Sequence, residues 1–423
     1  MGSTCNRGDA EIAEELLGSC LRGEPWSRER VRAFAARAAD DPAASRALFG
    51  ILVEGLSDRF EPRLVEAYAE FFAEVIATVL PEWTAGELLE RYRRVRAPRR
   101  FAGDPGKIEN VFVLSRVTLG ADIAVTSLVL DAAKRRFPGA EIRLVGGIKS
   151  YGLFAGDPRI RHILLAYERA GTLRDRLAVH AELASALGRP ASVVIDPDSR
   201  LSQLGVLPVC SEETYYFFES RSYGAESDES LTELTRRWLS ETFDVADAEA
   251  YLTPREQVPA GDRPCMAVSL GVGENLAKRI PDPFEEELLR ALVGAGLALW
   301  VDTGPGGEEA ERVKRALAGC EPRSGQVHIW RGSFPAFASL IAQSRLYVGY
   351  DSAGQHAAAA CGVPLVCIFA GFPCPRMFTR WRPTGPGPSE VIRVENPDPA
   401  IVLPRALEAV HRLFAGSPDQ RRI

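Results

Sequence analysis

The sequence predicts an α/β protein with two parallel-sheet lobes and an all-helical region before them. Three observations carry this. Beyond about residue 108, short apolar runs alternate with helical stretches of roughly ten to fifteen residues, the pattern of βαβ units. The alternation breaks between Leu231 and Pro264, where Pro254, Pro259 and Pro264 interrupt regular structure, and then restarts at Cys265, as at a crossing between lobes. The third is the stretch Leu346–Ala360. A buried strand stops at Gly349, Asp351-Ser352-Ala353-Gly354 turns the chain, and an alanine-rich helix runs on to Cys361. Its small residues bring the free N–H groups of a helix start close to whatever lies above the strand end, a setting that favours an anion such as phosphate. Close helix–sheet packing alone would explain the alanines, but not His356 in the first helical turn.

Size and composition set bounds. A chain of 423 residues exceeds one ordinary core and implies two or three domains. Its 46% hydrophobic and 26% charged residues are those of a soluble globular protein, and a net charge of -6 offers no global basic field for nucleic acid. No run approaches the roughly 20 apolar residues of a membrane span. Met1–Arg22 is acidic and lacks the apolar core of a signal peptide, and the 8 scattered cysteines form no C-x-x-C pair. The expected setting is a reducing cytoplasm, with contact at the inner face of a membrane left open.

In order, residues 1–105 predict helices, notably Glu11–Leu21, Arg28–Ala39 and a stripe of Leu64, Val65, Tyr68, Phe71, Phe72, Val75, Ile76, Val79 and Leu80. A basic run follows: Arg91, Arg93, Arg94, Arg96, Arg99 and Arg100. It suits an anionic membrane or a phosphate-bearing acceptor, or, more blandly, a solvated helix face and linker. The first lobe, residues 106–255, predicts strands at Asn110–Ser115, Glu141–Val145, Arg161–Leu165 and Ala191–Asp196, with helices at Ile123–Phe137 and Leu173–Leu187. Asp196-Pro197-Asp198 matches a metal-binding Asp-x-Asp string, but three-residue matches are common, and strand-end roles are expected. The second lobe, residues 256–400, predicts strands at Cys265–Leu270, Leu297–Asp302, from His328, and at Leu365–Phe369. Lys278 and Arg279 follow a glycine turn at a strand end, where ligands of open α/β sheets bind, and suit a pyrophosphate. Thr303–Gly307 is glycine-rich but lacks the Gly-Lys-Ser/Thr ending of a phosphate loop. Residues 401–423 predict a closing helix crossing back to the first lobe.

Asp351-Ser352-x-Gly354-x-His356-x-Ala358-Ala359-Ala360-x-Gly362-x-Pro364, with Phe369 after it, resembles the C-terminal signature of the ADP-heptose:lipopolysaccharide heptosyltransferases, glycosyltransferase family 9. Asn275-x-x-Lys278-Arg279-Ile280-Pro281 resembles a second family segment, and Arg116 with Asp122, then Asp196-x-x-x-Arg200-Leu201-Ser202, resemble first-lobe segments. Three positions depart from the family: Ala121 and Ala353 where it has Gly, and Ile280 where it has Trp. The resemblance implies a GT-B fold, two Rossmann-like lobes facing across a cleft, with the acceptor on the first and the nucleotide sugar on the second. It implies metal-independent, inverting transfer of a sugar, heptose above all, from an ADP-heptose-like donor to a glycan or other hydroxyl, with no cofactor. Asp122 would be the general base, although a helix N-cap is the plainer reading of that residue. Asn275, Lys278, Arg279, Asp351, Ser352, Gly354 and His356 would bind the donor, with Arg116 and Arg200 on the acceptor side. A GT-B protein that binds a nucleotide sugar or a partner without transfer is the alternative; an epimerase would need an acid/base pair that the sequence does not offer.

Overall fold

The computed structural model describes residues 7–258, 265–273, 275–294, 298–304 and 306–415. Met1–Asn6, Pro259, Pro264, Leu297 and Pro305 lie outside the described residues. The chain divides into two compact units: Met1–Thr118, Leu128–Tyr151 and Pro158–Ala248 in the first; Leu119–Ser127, Gly152–Asp157 and Glu249–Ile423 in the second.

In the first unit the helices Arg7–Arg22, Arg28–Asp40, Pro62–Val79 and Ala85–Val95 are started by the expected chemistry. Ser27 accepts from the Arg30 amide, and Thr84 with Glu87 forms a reciprocal capping box. The stripe on Pro62–Val79 is fully buried, each large apolar side chain contributing about 1.5–3 kcal/mol. These residues share one core with Phe112, Leu114, Val194, Tyr215 and Phe217 of the adjoining sheet.

The arginine run fastens the helices to that sheet. Arg91 donates to the Gly205 carbonyl (3.1 Å) and lies over the Tyr215 ring; Arg93 and Arg96 bridge to Glu66. Arg94 pairs with Glu212, Arg100 pairs with Asp244, and Arg99 donates to the carbonyls of Glu212, Glu213 and Tyr215. The expected solvated face, or membrane-facing patch, is therefore a set of clamps within the unit.

The first sheet is parallel throughout, in the order β3 (Ile160–Leu164), β2 (Glu141–Gly146), β1 (Asn110–Leu114), β4 (Ser192–Asp196), β5 (Tyr215–Phe217). The second, also parallel, runs β11 (Ser389–Arg393), β10 (Leu365–Phe369), β9 (Leu346–Tyr350), β6 (Cys265–Ser269), β7 (Ala298–Asp302), β8 (Val327–Trp330). Each order reverses direction from its first strand, between β1 and β4 and between β6 and β9, the switch points of doubly wound sheets. β5 and β11 were not expected: β5 has three residues, and β11 is a partly exposed edge whose pattern is too short to show a period. The closing helix, Pro399–Ala415, corrects an expectation. It does not cross back; Val402, Ala406, Ala409 and Val410 are in the core of the second sheet, on β9, β10 and β11. No described helix is long and apolar enough to cross a membrane.

Candidate functional site

At the second switch point, β6 and β9 lie side by side, with Ser269 paired to Gly349. A Cβ at Gly349 would lie 2.5 Å from the Ser269 carbonyl, so the strands can meet only with glycine there. The turn after β9 leads into the helix Ala353–Ala360, whose free amides begin beyond the strand end. Facing it, Asn275 caps a short turn, Leu276–Lys278, by accepting from the Ala277 amide (3.1 Å). Gly371, at φ +69°, brings the loop after β10 against that turn, a Cβ there falling 2.5 Å from the Ala277 backbone.

The side chains converge on Asp351. Lys278 Nζ lies 2.6 Å from its Oδ2 and 3.4 Å from its carbonyl oxygen. Gln355 Nε2 donates to the other carboxylate oxygen and lies 3.4 Å from His356 Nε2. His356 is only 6% exposed and meets the Trp381 ring edge-on at 5.8 Å between centroids. Burial holds its pKa down at about 4, against the pull of Asp351, and Lys278 adds to the lowering, so the ring is neutral at pH 7.

Arg279 is not part of this group. Its guanidinium bonds to Glu285 (2.9 Å) and Asp282, and Glu285 also holds Arg312 (2.9 Å) and the Tyr350 hydroxyl (3.2 Å). Ile280, in the place of the family's Trp, is fully buried and donates its amide to Tyr350 Oη (3.3 Å). Together these brace the floor under β9.

Two features at this site were not foreseen. One is Gln355, which carries no local signal of its contact with Asp351. The other is Glu309, whose carboxylate lies against Gly271 and Gly304 just beyond β6 and β7; a Cβ at Gly271 would fall 2.6 Å from it. Burial raises the pKa of Glu309, opposed by Arg312, and likewise that of Asp302 at the end of β7. Carboxylates at strand ends of such sheets suit sugar hydroxyls.

Asp122 falls in the second unit with this cluster, in the segment Leu119–Ser127. It is not an N-cap, because helical backbone begins at Leu119 and widens to π geometry over Asp122–Thr126, a distortion frequent at functional sites. Its carboxylate, 1% exposed, accepts from Thr126 Oγ1 at 2.8 Å. The segment packs on the Ala353–Ala360 helix through Gly120, beside His356 and Ala353.

The remaining predicted residues lie in the first unit. Arg116 turns inward to the Pro197 carbonyl (2.8 Å) and Ser220 Oγ (2.9 Å). Val117 follows at φ +74°, a left-handed conformation that costs a β-branched residue about 1–3 kcal/mol. Arg200 is half-buried in the turn after β4. Asp198 is buried against Arg221 (3.1 Å) and Ser220 (2.7 Å), and Asp196 against Tyr215 Oη (2.6 Å) and the Ser199 amide (2.7 Å). Both aspartates thus have the strand-end structural roles expected of them.

Residues 210–395 match the model of glycosyltransferase family 9 (heptosyltransferase). The chain carries a family 9 glycosyltransferase domain. It is a domain of transferase enzymes. Among curated proteins, a stretch of 109 residues is 29% identical to lipopolysaccharide heptosyltransferase 3 of Escherichia coli, covering 23% of this chain and 32% of that protein, about a third of its length. Among solved structures, the family 9 glycosyl transferase of Veillonella parvula superposes with a TM-score of 0.57 at 16% identity, over 73% of this chain and 98% of that one. E. coli heptosyltransferase WaaC, solved with ADP-2-deoxy-2-fluoro heptose, gives 0.52 at 17%, over 72% and 99%. At these identities the structures establish the shared fold, GT-B.

Proposed function

We propose that this protein transfers a heptose from an ADP-heptose-type nucleotide sugar to a hydroxyl acceptor, by an inverting reaction that needs no metal. The observation that carries the reading is the cluster of Lys278, Asp351 and His356 at the switch point of the sheet, inside the stretch that matches family 9. The named relatives support the donor class: one is called a heptosyltransferase, and another was solved with an ADP-heptose analogue.

The second unit takes the donor. Its diphosphate lies at the N-terminus of Ala353–Ala360, where backbone amides and Lys278 meet its charge. Lys278 exchanges Asp351 for a phosphate oxygen, and Asp351 stays held by Gln355. Neutral His356 donates one N–H to a phosphate oxygen, and Glu309 or Asp302 accepts from the nucleoside's hydroxyls. The first unit supplies the acceptor side, with Arg200 at the end of β4.

Asp122 removes the proton from the acceptor hydroxyl as that oxygen attacks the anomeric carbon. The bond from that carbon to the diphosphate oxygen breaks, its electron pair leaves with the nucleoside diphosphate, and the configuration inverts. Lys278 and the helix terminus stabilise the charge growing on the leaving group.

The test is turnover of ADP-heptose by wild type and Asp122→Asn, with released ADP and glycosylated product followed by mass spectrometry. The substitution is expected to lower kcat about 100- to 10,000-fold and leave nucleotide binding intact. Unchanged turnover removes Asp122 as the base. Binding without transfer is the second reading. It draws on Arg279, which Glu285 and Asp282 occupy, and it predicts tight ADP-sugar binding with no product from any acceptor.

A further inference from the structure

The inference concerns the two glycine departures of the site and rests on the transferase reading above. Where the resembling family has Gly at positions 121 and 353, this chain has Ala121 and Ala353, and in each case a glycine stands next to it, Gly120 and Gly354. The contacts fall on the neighbours. A Cβ at Gly354 would run into the ring and hydroxyl of Tyr347, which is fully buried on β9. A Cβ at Gly120 would stand 3.2 Å from His356 Cδ2 and 3.5 Å from Ala353 Cα. Ala121 carries its methyl in a buried place, 5% exposed.

We infer that Gly120 and Gly354 are the positioning residues of this site, and that each departure moves a glycine by one residue without loss of the turn. The two contacts act in series. Gly354 lets the Ala353–Ala360 helix settle on Tyr347, which fixes the helix against β9. Gly120 lets Leu119–Thr126 settle on that helix beside His356. Asp122 is two residues farther on, so the proposed base and the diphosphate-binding helix are placed by one stack of contacts inside one compact unit. The imidazole between Gly120 and Trp381 senses that placement.

The experiment compares Gly120→Val, Gly120→Ala, Gly354→Ala and Ala121→Gly with wild type in the full chain. Misplacement of a reacting group by about 1 Å costs about 100-fold, so Gly120→Val is expected to lower kcat about 100-fold with Kd for ADP within about threefold. Gly120→Ala, whose single methyl meets the 3.2 Å contact, carries the test if the valine variant does not fold. Gly354→Ala, which moves the helix itself, is expected to weaken ADP binding about tenfold through overpacking against Tyr347. Ala121→Gly is expected to keep both constants. Wild-type kcat in both Gly120 variants, or an equal loss in Ala121→Gly, overturns the inference. If wild type transfers nothing from ADP-heptose, the transferase reading fails by itself. The contact is then read from the His356 ring resonance: a signal that moves in Gly120→Ala and not in Ala121→Gly supports it, and one that moves in neither overturns it.

Discussion

Asp351 has one carboxylate oxygen on Lys278 and the other on Gln355, an arrangement that holds an ammonium at the mouth of a helix N-terminus. The motif residues Asp351, His356 and Lys278 were legible because they stand in recognisable strings at strand ends. Gln355, Glu309 and Tyr347 were not, because what matters about them is a contact with a residue distant in the chain or a cradle made by two glycines. Arg279 shows the converse: its place in a string suggested a pyrophosphate clamp, and Glu285, six residues on, claims its guanidinium. The His356 imidazole yields a pH prediction. Its pKa of about 4 lies below the ordinary value of 6.5, so between those values the unfolded chain binds the proton that the folded one refuses. Stability from this group is full above about pH 6.5 and is lost as pH falls toward 4. Asp196, pushed up to about 6 by burial, has the opposite sign below pH 6, because there the folded state binds the extra proton. The difference between wild type and His356→Gln therefore isolates the imidazole: denaturant melts at pH 7 and pH 4.5 should show the wild type losing more stability than the variant. Equal losses would contradict the buried, neutral ring.

At the scale of elements, the strands and helices of both lobes followed from period and punctuation, and Leu173–Leu187 fell at its expected bounds with a Thr172–Asp175 capping box. Three elements escaped. β5 and β11 are too short for a period, and the closing helix carries an apolar stripe that does not say which sheet will cover it. The arginine run was misjudged for a related reason: six basic residues in ten look solvated until the acceptors appear, and those come from residues more than a hundred positions later. Its members are not equivalent. Arg99 satisfies three carbonyls and lies 4.4 Å over the Tyr216 ring, so Arg99→Ala should cost about 1–2 kcal/mol in chemical denaturation. Arg94→Ala and Arg100→Ala, each deleting one exposed ion pair, should cost less than about 1 kcal/mol. None should alter ADP affinity. A change in affinity without a change in stability would return the run to a ligand-binding role.

For the whole molecule, the sequence shows that there are two sheets and where one lobe gives way to the next. It does not show that Leu119–Ser127 and Gly152–Asp157, which belong by position to the first lobe, are gathered into the second unit. That gathering depends on packing, as at Gly120 and at the Gly156 amide, which donates to the Thr253 carbonyl at 2.7 Å. Its consequence is that Asp122, Lys278, Asp351 and His356 belong to one compact body, while the helical region and the first sheet make another around a shared core. The central claim is that this second body is a nucleotide-sugar site working through Lys278 without metal. The most direct measurement is calorimetric titration of the full chain, in chelator, with ADP-, UDP-, GDP- and dTDP-sugars, repeated with Lys278→Ala. Selective binding of the ADP-sugar, weakened about tenfold or more by loss of the charge-assisted contact, is the predicted result. Absence of binding to all four, or ADP-sugar binding that Lys278→Ala leaves untouched, would contradict it.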